Sequence, residues 1–153
     1  MIVRVSEYNN HRKKEMGYCI TQTDTRFFIP QEFHGLALAA IKELMLEKYT
    51  ADGGVEVILS YTWVNTDEVV QSETLSDALY AWRWEAETNP NGDIDAIYFG
   101  GEKQGSDECL FRVISPFVKE GSYISMRGED GEMWRWYFDG QKCIEQYGTV
   151  VWK

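Results

Sequence analysis

Two Asp-Gly dipeptides constrain this chain more than any other feature. Asp130-Gly131 and Asp139-Gly140 separate three alternating stretches, SYISMRG, EMWRWYF and QKCIEQY. Asp-Gly between alternating runs is a strong hairpin signal, because the turns that match strand twist need positive φ, which glycine adopts without steric cost. Residues 122–147 are therefore expected to form a three-stranded antiparallel meander turning at both dipeptides. With two central residues in each turn, Arg127 faces Trp134, Ser125 faces Trp136 and Tyr123 faces Phe138. Across the second turn Trp136 faces Cys143 and Trp134 faces Glu145. The opposite face then carries Met126, Ile124, Met133, Arg135, Tyr137 and Ile144. A last strand, TVVWK, is expected after Gly148.

Both faces of such a meander are apolar in large part, so two readings of Trp134 and Trp136 stand. They pack under covering layers, or they form a shallow aromatic platform edged by Arg127, Arg135 and Glu145. A platform of that kind stacks a base, a sugar or a partner side chain.

The upstream chain alternates strand and helix signals. GYCITQTDTRFFI (17–29) reads as a strand or bent hairpin. Pro30 opens a helix whose stripe is Phe33, Ala37, Ala40, Ile41 and Leu44, ending near Tyr49 before Asp52-Gly53-Gly54. VEVILSYTWV (55–64) reads as a strand. Thr74-Leu75-Ser76-Asp77 resembles an N-terminal capping box. The helix it opens is expected to run through Leu75, Ala78, Leu79, Trp82 and Ala86 and to stop at Asn89-Pro90-Asn91-Gly92. DIDAIYFG (93–100) reads as a strand, and Ser106-Asp107-Glu108 as the cap of a helix through Leu110, Phe111 and Ile114 that Pro116 ends or kinks. The expected core comprises Leu36, Ala40, Leu44, Val57, Leu59, Leu79, Trp82, Ile97, Phe111, Ile124 and Tyr137. The whole is expected to be one α+β domain over residues 1–153: a single, mostly antiparallel sheet with two or three helices packed on it.

On the helix from Leu75, Tyr80 and Trp84 fall opposite the core stripe and adjacent to each other. They are expected to be partly exposed and covered by a partner or second subunit. On that reading Trp84→Ala weakens association by about 2 kcal/mol and leaves folding nearly unchanged.

Composition narrows the function. The net charge is −10, with 25 acidic against 15 basic side chains. Residues 1–26 carry a small basic excess, and residues 85–108 hold seven acids against Lys103 alone. An acidic surface repels nucleic-acid phosphates and anionic membranes and attracts basic proteins. No apolar run approaches the roughly 20 residues of a membrane span, and the opening MIVRVSEYNN lacks the apolar stretch of a signal peptide. Cys19, Cys109 and Cys143 are odd in number and contain no C-x-x-C pair, consistent with free thiols in a reducing cytoplasm. His11 and His34 sit in no Cys-His, Ser-His-Asp or H-E-x-x-H arrangement. Asn89 to Asp95 has alternating oxygen side chains, but its glycine is misplaced for an EF-hand. Phe99 to Gly105 is glycine-rich without matching a P-loop. No catalytic residue, metal site or cofactor is expected.

Gly121-Ser122-Tyr123-Ile124, Gly128-Glu129-Asp130-Gly131 and Trp134-Arg135-Trp136, followed by Val150-Val151-Trp152, resemble the closing hairpin of a class of small uncharacterised bacterial and phage proteins. The likeness covers the last third of the chain and implies a fold, with no activity to transfer. Three functions remain. The first is an acidic protein-interaction domain, such as an inhibitor, immunity or counter-defence factor, that binds a basic protein surface; a homodimer is an open alternative. The second is a nucleotide- or sugar-binding protein using the aromatic meander face. The third is a carboxylate-based or metal-dependent hydrolase. The candidate binding residues are Tyr80, Trp84, Arg127, Trp134, Trp136 and Glu145.

Overall fold

The computed structural model describes residues 2–4 and 18–153; the basic segment 9–15, with His11, lies outside the described residues. In chain order the elements are β1 (Ile2–Arg4), β2 (Ile20–Arg26), α1 (His34–Met45), β3 (Lys48–Thr50), β4 (Glu56–Ser60), α2 (Thr66–Val70) and α3 (Leu75–Ala81). Then follow β5 (Trp84–Thr88), β6 (Ile94–Phe99), α4 (Asp107–Ile114), β7 (Tyr123–Gly128), β8 (Met133–Phe138) and β9 (Cys143–Gly148). Short 3-10 turns precede α1 at Gln31–Phe33 and follow α4 at Ser115–Phe117. The class is α+β, and a four-stranded antiparallel sheet, β2-β7-β8-β9, ends in the expected meander. The strands divide among three sheets, however: β4 pairs parallel with β1 and antiparallel with β3, and β5 and β6 form a separate hairpin.

A side chain joins this hairpin to the larger sheet. Gln22 lies where the register of β2 shifts. Its amide donates to the Ile97 carbonyl at 2.8 Å and accepts from the Phe99 N–H at 2.7 Å. It thereby pairs with β6 much as a strand residue would, satisfying edge groups that otherwise face solvent.

The core lies between the helices and the inner face of the four-stranded sheet. Ile124, Met126, Trp134, Trp136 and Phe138 point inward and are buried. Phe111 of α4 packs on Trp136 at 4.9 Å between ring centroids and on Phe138 at 5.9 Å, the latter edge-on. Leu44, Val57, Leu79, Trp82, Ile97 and Phe111 are buried as expected. Leu36 is 56% exposed instead. The buried row of α1 is Ala37, Ile41, Leu44 and Met45, and Leu36 lies one residue, about 100°, off that row. Ala40, Leu59 and Tyr137 are half-buried.

The turns set a register different from the one expected. In the first, Gly128 N–H donates to Glu132 O at 2.9 Å and Gly131 N–H to Gly128 O at 3.0 Å, with Gly131 at φ 88°. The loop is thus Glu129-Asp130-Gly131, a turn closed by a left-handed glycine, and not a two-residue loop. Ile124 consequently faces Trp136, and Met126 faces Trp134. A slip of one residue exchanges the two faces of a strand, so Arg127 and Ser125 leave the tryptophans and join Met133 and Arg135. In the second turn Asp139 N–H donates to Lys142 O at 3.1 Å around Gly140 (φ 95°) and Gln141. Trp136 therefore faces Glu145 and Trp134 faces Tyr147. The expected strand over TVVWK is absent: residues 149–153 have no regular structure.

The helix from Leu75 also stops early. Thr74 Oγ1 accepts from Asp77 N–H at 3.1 Å, the expected cap, but the helix ends at Ala81. Arg83 takes the left-handed position beyond it, φ 74°, donating its N–H to Tyr80 O at 2.8 Å. This place usually belongs to glycine. The chain then turns into β5, and Asn89-Pro90-Asn91-Gly92 becomes a hairpin turn. Trp84 is wholly buried. Its indole N–H donates to Asp107 Oδ1 at 2.9 Å, and Asp107 Oδ2 accepts from Gly105 N–H at 3.2 Å and Arg83 Nη2 at 3.3 Å. Arg83 Nη1 also donates to Lys103 O at 2.8 Å, with the guanidinium over the Phe99 ring. This network offsets the left-handed arginine and fixes the corner.

Trp84→Ala is therefore expected to destabilise the fold by roughly 3–5 kcal/mol in urea unfolding, whereas Tyr80→Ala on the exposed side of α3 should stay within about 0.5 kcal/mol of the parent. Small, equal effects at both positions would contradict the helix-to-strand switch at Arg83.

Candidate functional site

The outer face of the four-stranded sheet is assembled from alternate residues of its strands. One cross-sheet row runs Ser125–Arg135–Gln146, and the next runs Thr21–Arg127–Met133–Gly148. The irregularity of β2 at Thr23 and Asp24 forms a rim beyond Ser125. Small residues at Ser125 and Gly148 leave a concavity of about 700 Å³ between the longer side chains. This volume lies within the usual range of ligand pockets.

The pocket is basic although the chain is acidic. Arg127 and Arg135 occupy diagonal positions on neighbouring strands and face the same way. Neither forms an ion pair with a carboxylate among the described residues. Arg127 Nη2 meets the Met133 thioether at 3.6 Å, a weak acceptor. Arg135 is more firmly held. Its Nε donates to Gln146 Oε1 at 2.7 Å, and its guanidinium lies 5.1 Å from the centre of the Tyr123 ring. Tyr123 in turn donates its hydroxyl to Asp24 Oδ2 at 2.7 Å. That hydrogen bond pushes the Tyr123 phenol above its ordinary pKa. The chain Asp24–Tyr123–Arg135–Gln146 thus fixes one guanidinium and leaves both its terminal nitrogens without a hydrogen-bond partner among the described residues.

The candidate residues are divided by this geometry. Arg127 lines the pocket and is exposed. Trp134 and Trp136 are 2% and 1% exposed and lie on the inner face, so the aromatic platform does not form; Trp134 only underlies the pocket floor. Their inward direction follows from the three-residue first turn. Glu145 is exposed but shares the facing of Trp136, away from the arginines, and accepts from the Tyr147 hydroxyl at 3.1 Å. Tyr80 is 65% exposed on α3, outside the pocket, and Trp84 is core, so the two do not form the expected pair. Asp24, Ser125, Met133 and Gln146 were not among the candidates. Alternation alone would have grouped Ser125 with Arg127. Asp24 joins them through Tyr123, 99 residues away in sequence, which no local pattern reveals.

Other segments with a suggestive composition have structural work. Asn89 Oδ1 accepts from Asn91 and Asp93 N–H at 3.0 Å each, and Asp93 Oδ1 accepts from Gln31 N–H at 2.9 Å, so this segment is a hydrogen-bonded turn. The glycine-rich stretch 99–105 wraps the Arg83 guanidinium: a Cβ at Gly105 would lie 2.6 Å from Nη2 and 2.9 Å from Thr62 O. Among the described residues, no three or more of His, Cys, Asp and Glu gather as a metal site, and no helix is long and apolar enough to cross a membrane.

Burial pushes the thiols of Cys109 and Cys143 up to about 12. A thiol-specific disulfide reagent at pH 8 should therefore leave Cys109, which is also inaccessible, unmodified in the native protein, react slowly at Cys143, and label all three cysteines only in denaturant; rapid labelling of Cys109 would contradict the packing of α4. The chain matches no protein-family model, no curated protein and no solved structure.

Proposed function

We propose that this chain is a small-ligand-binding domain whose ligand is anionic and occupies the outer face of the meander. The observation that carries the reading is the arginine pair. Diagonal neighbours on a sheet are roughly 7 Å apart. Like charges on one face repel, by an amount that falls with their separation. In a chain with ten more acids than bases, carboxylates to relieve that repulsion are plentiful, yet among the described residues neither arginine forms an ion pair and Asp24 is the one carboxylate lining the pocket. The pocket carries an unmet demand for negative charge, and a bound anion meets it.

The reading predicts a trade between stability and binding. Arg127→Gln should leave the ligand-free protein as stable as the parent or slightly more so, because it removes repulsion. At constant ionic strength, a small anion at one hundred times its Kd should stabilise the parent by about 2.7 kcal/mol, seen as a rise in Tm, and the Arg127→Gln/Arg135→Gln protein should show no such rise. Equal shifts in both proteins would place anion binding elsewhere.

A second reading is favoured by the charge of −10 and by the exposed Val150, Val151 and Trp152 beside the open edge of β9. It is an acidic protein-interaction domain that covers a basic surface on another protein, with Tyr80 the remaining exposed aromatic of α3. Capture of that partner should fall steeply between low and high salt.

A further inference from the structure

We infer that the anion is the phosphate of a small, hydroxyl-bearing phosphomonoester, bridged between Arg127 and Arg135. This rests on the proposed anion-binding role of the pocket and specifies its ligand. A carboxylate is planar, and a single guanidinium fork satisfies both of its oxygens. Here two arginines line one pocket from adjacent strands, β7 and β8. Two cations facing one space fit a group of nearly two negative charges with three acceptor oxygens, which a phosphomonoester supplies near neutral pH.

The hydrogen bonds around the arginines favour the same geometry. Gln146 takes the Nε proton of Arg135, and Tyr123 supports the guanidinium face, so the two terminal nitrogens are the donors left for a ligand. The contact of Arg127 with the Met133 sulfur, at 3.6 Å, is weak enough for a phosphate oxygen to replace. Ser125, the direct neighbour of Arg135 across the strands, is small enough to leave room between the two groups and carries a hydroxyl donor. Among the described residues, Asp24 is the only carboxylate lining the pocket. It stands two strands from Arg135, at the β2 rim, beside Thr23. Strands are about 4.8 Å apart, so the rim is about 10 Å from β8. That spacing keeps the carboxylate off the phosphate and sets it where a hydroxyl on the ligand body can donate to it. The ligand therefore lies across the strands, phosphate over β7 and β8 and hydroxyls toward β2.

The test is isothermal titration of the full chain with glycerol 3-phosphate, inorganic phosphate, acetate and succinate at matched ionic strength. The parent, Arg127→Gln, Arg135→Gln and Arg135→Lys proteins are compared, each checked for parental circular dichroism and Tm. Glycerol 3-phosphate should bind at least tenfold more tightly than acetate or succinate and more tightly than inorganic phosphate. Each Arg→Gln change should weaken it at least tenfold, and lysine at position 135 should not restore it, because lysine offers no planar fork. Asp24→Asn should lower the preference for glycerol 3-phosphate over inorganic phosphate without changing the affinity for inorganic phosphate. Acetate or succinate binding as tightly as the phosphates, with the same dependence on both arginines, would overturn the phosphate assignment while leaving the anion pocket standing. A phosphoserine peptide is titrated beside these four, and its binding without binding of glycerol 3-phosphate would overturn the small-molecule assignment. Absence of binding by all four probes, or binding indifferent to both arginines, would overturn the pocket itself.

Discussion

The buried carboxylate of Asp107 organises the half of the molecule on which the meander rests. It accepts from the Trp84 indole, the Arg83 guanidinium and the Gly105 backbone while remaining 1% exposed. A buried polar group is tolerated only when its hydrogen-bonding capacity is met, and here three donors from two segments converge to meet it. The convergence holds Arg83 in a left-handed conformation, which turns α3 into β5. It also seats Trp84 edge-on against Phe111 and Trp136. The aromatic core under the meander is thus anchored to a polar node, and the position of α4 and the inner face of β8 depend on both.

The two faces of the meander have opposite tasks because a three-residue loop joins β7 to β8. With Glu129, Asp130 and Gly131 outside the ladder, every tryptophan of β8 points inward and both arginines point outward. A two-residue loop would have placed Arg127 against Trp134 and split the arginine pair. The candidate binding face is therefore a consequence of one glycine in a left-handed conformation, at φ 88°.

A pocket in which two arginines meet a single carboxylate among the described residues, Asp24, holds a local field opposite in sign to the overall charge of the chain. Such a field costs stability in the free protein and favours an anion that enters it. The supporting contacts of Arg135 fix its direction in the free protein, which would limit the entropy lost in the proposed binding. Arg127, resting on a thioether, is the more adaptable of the two.

The amino-acid sequence by itself determined the α+β class, the existence of the meander, the Thr74 cap and the burial of seven of the eleven core positions named from it. These are local properties: hydrophobic period, turn chemistry and capping act within a few residues of one another. Arg127 was legible as a binding candidate for the same reason, as a charge on a regular strand. What only the tertiary structure decided were the strand register, the end of α3 and the membership of the pocket. The difference between a two- and a three-residue loop is a single backbone hydrogen-bond choice at Gly128, compatible with the same Asp-Gly signal, and it became fixed because only one choice sets Trp134 and Trp136 on the same face as the apolar Met126 and Ile124. The helical stripe through Ala86 broke at Arg83 because Asp107, 23 residues beyond Trp84, offered its indole a buried acceptor. Asp24 entered the site through Tyr123 across 99 residues. Contacts of that range are set by how the sheets and helices pack, and no periodicity in the chain encodes them.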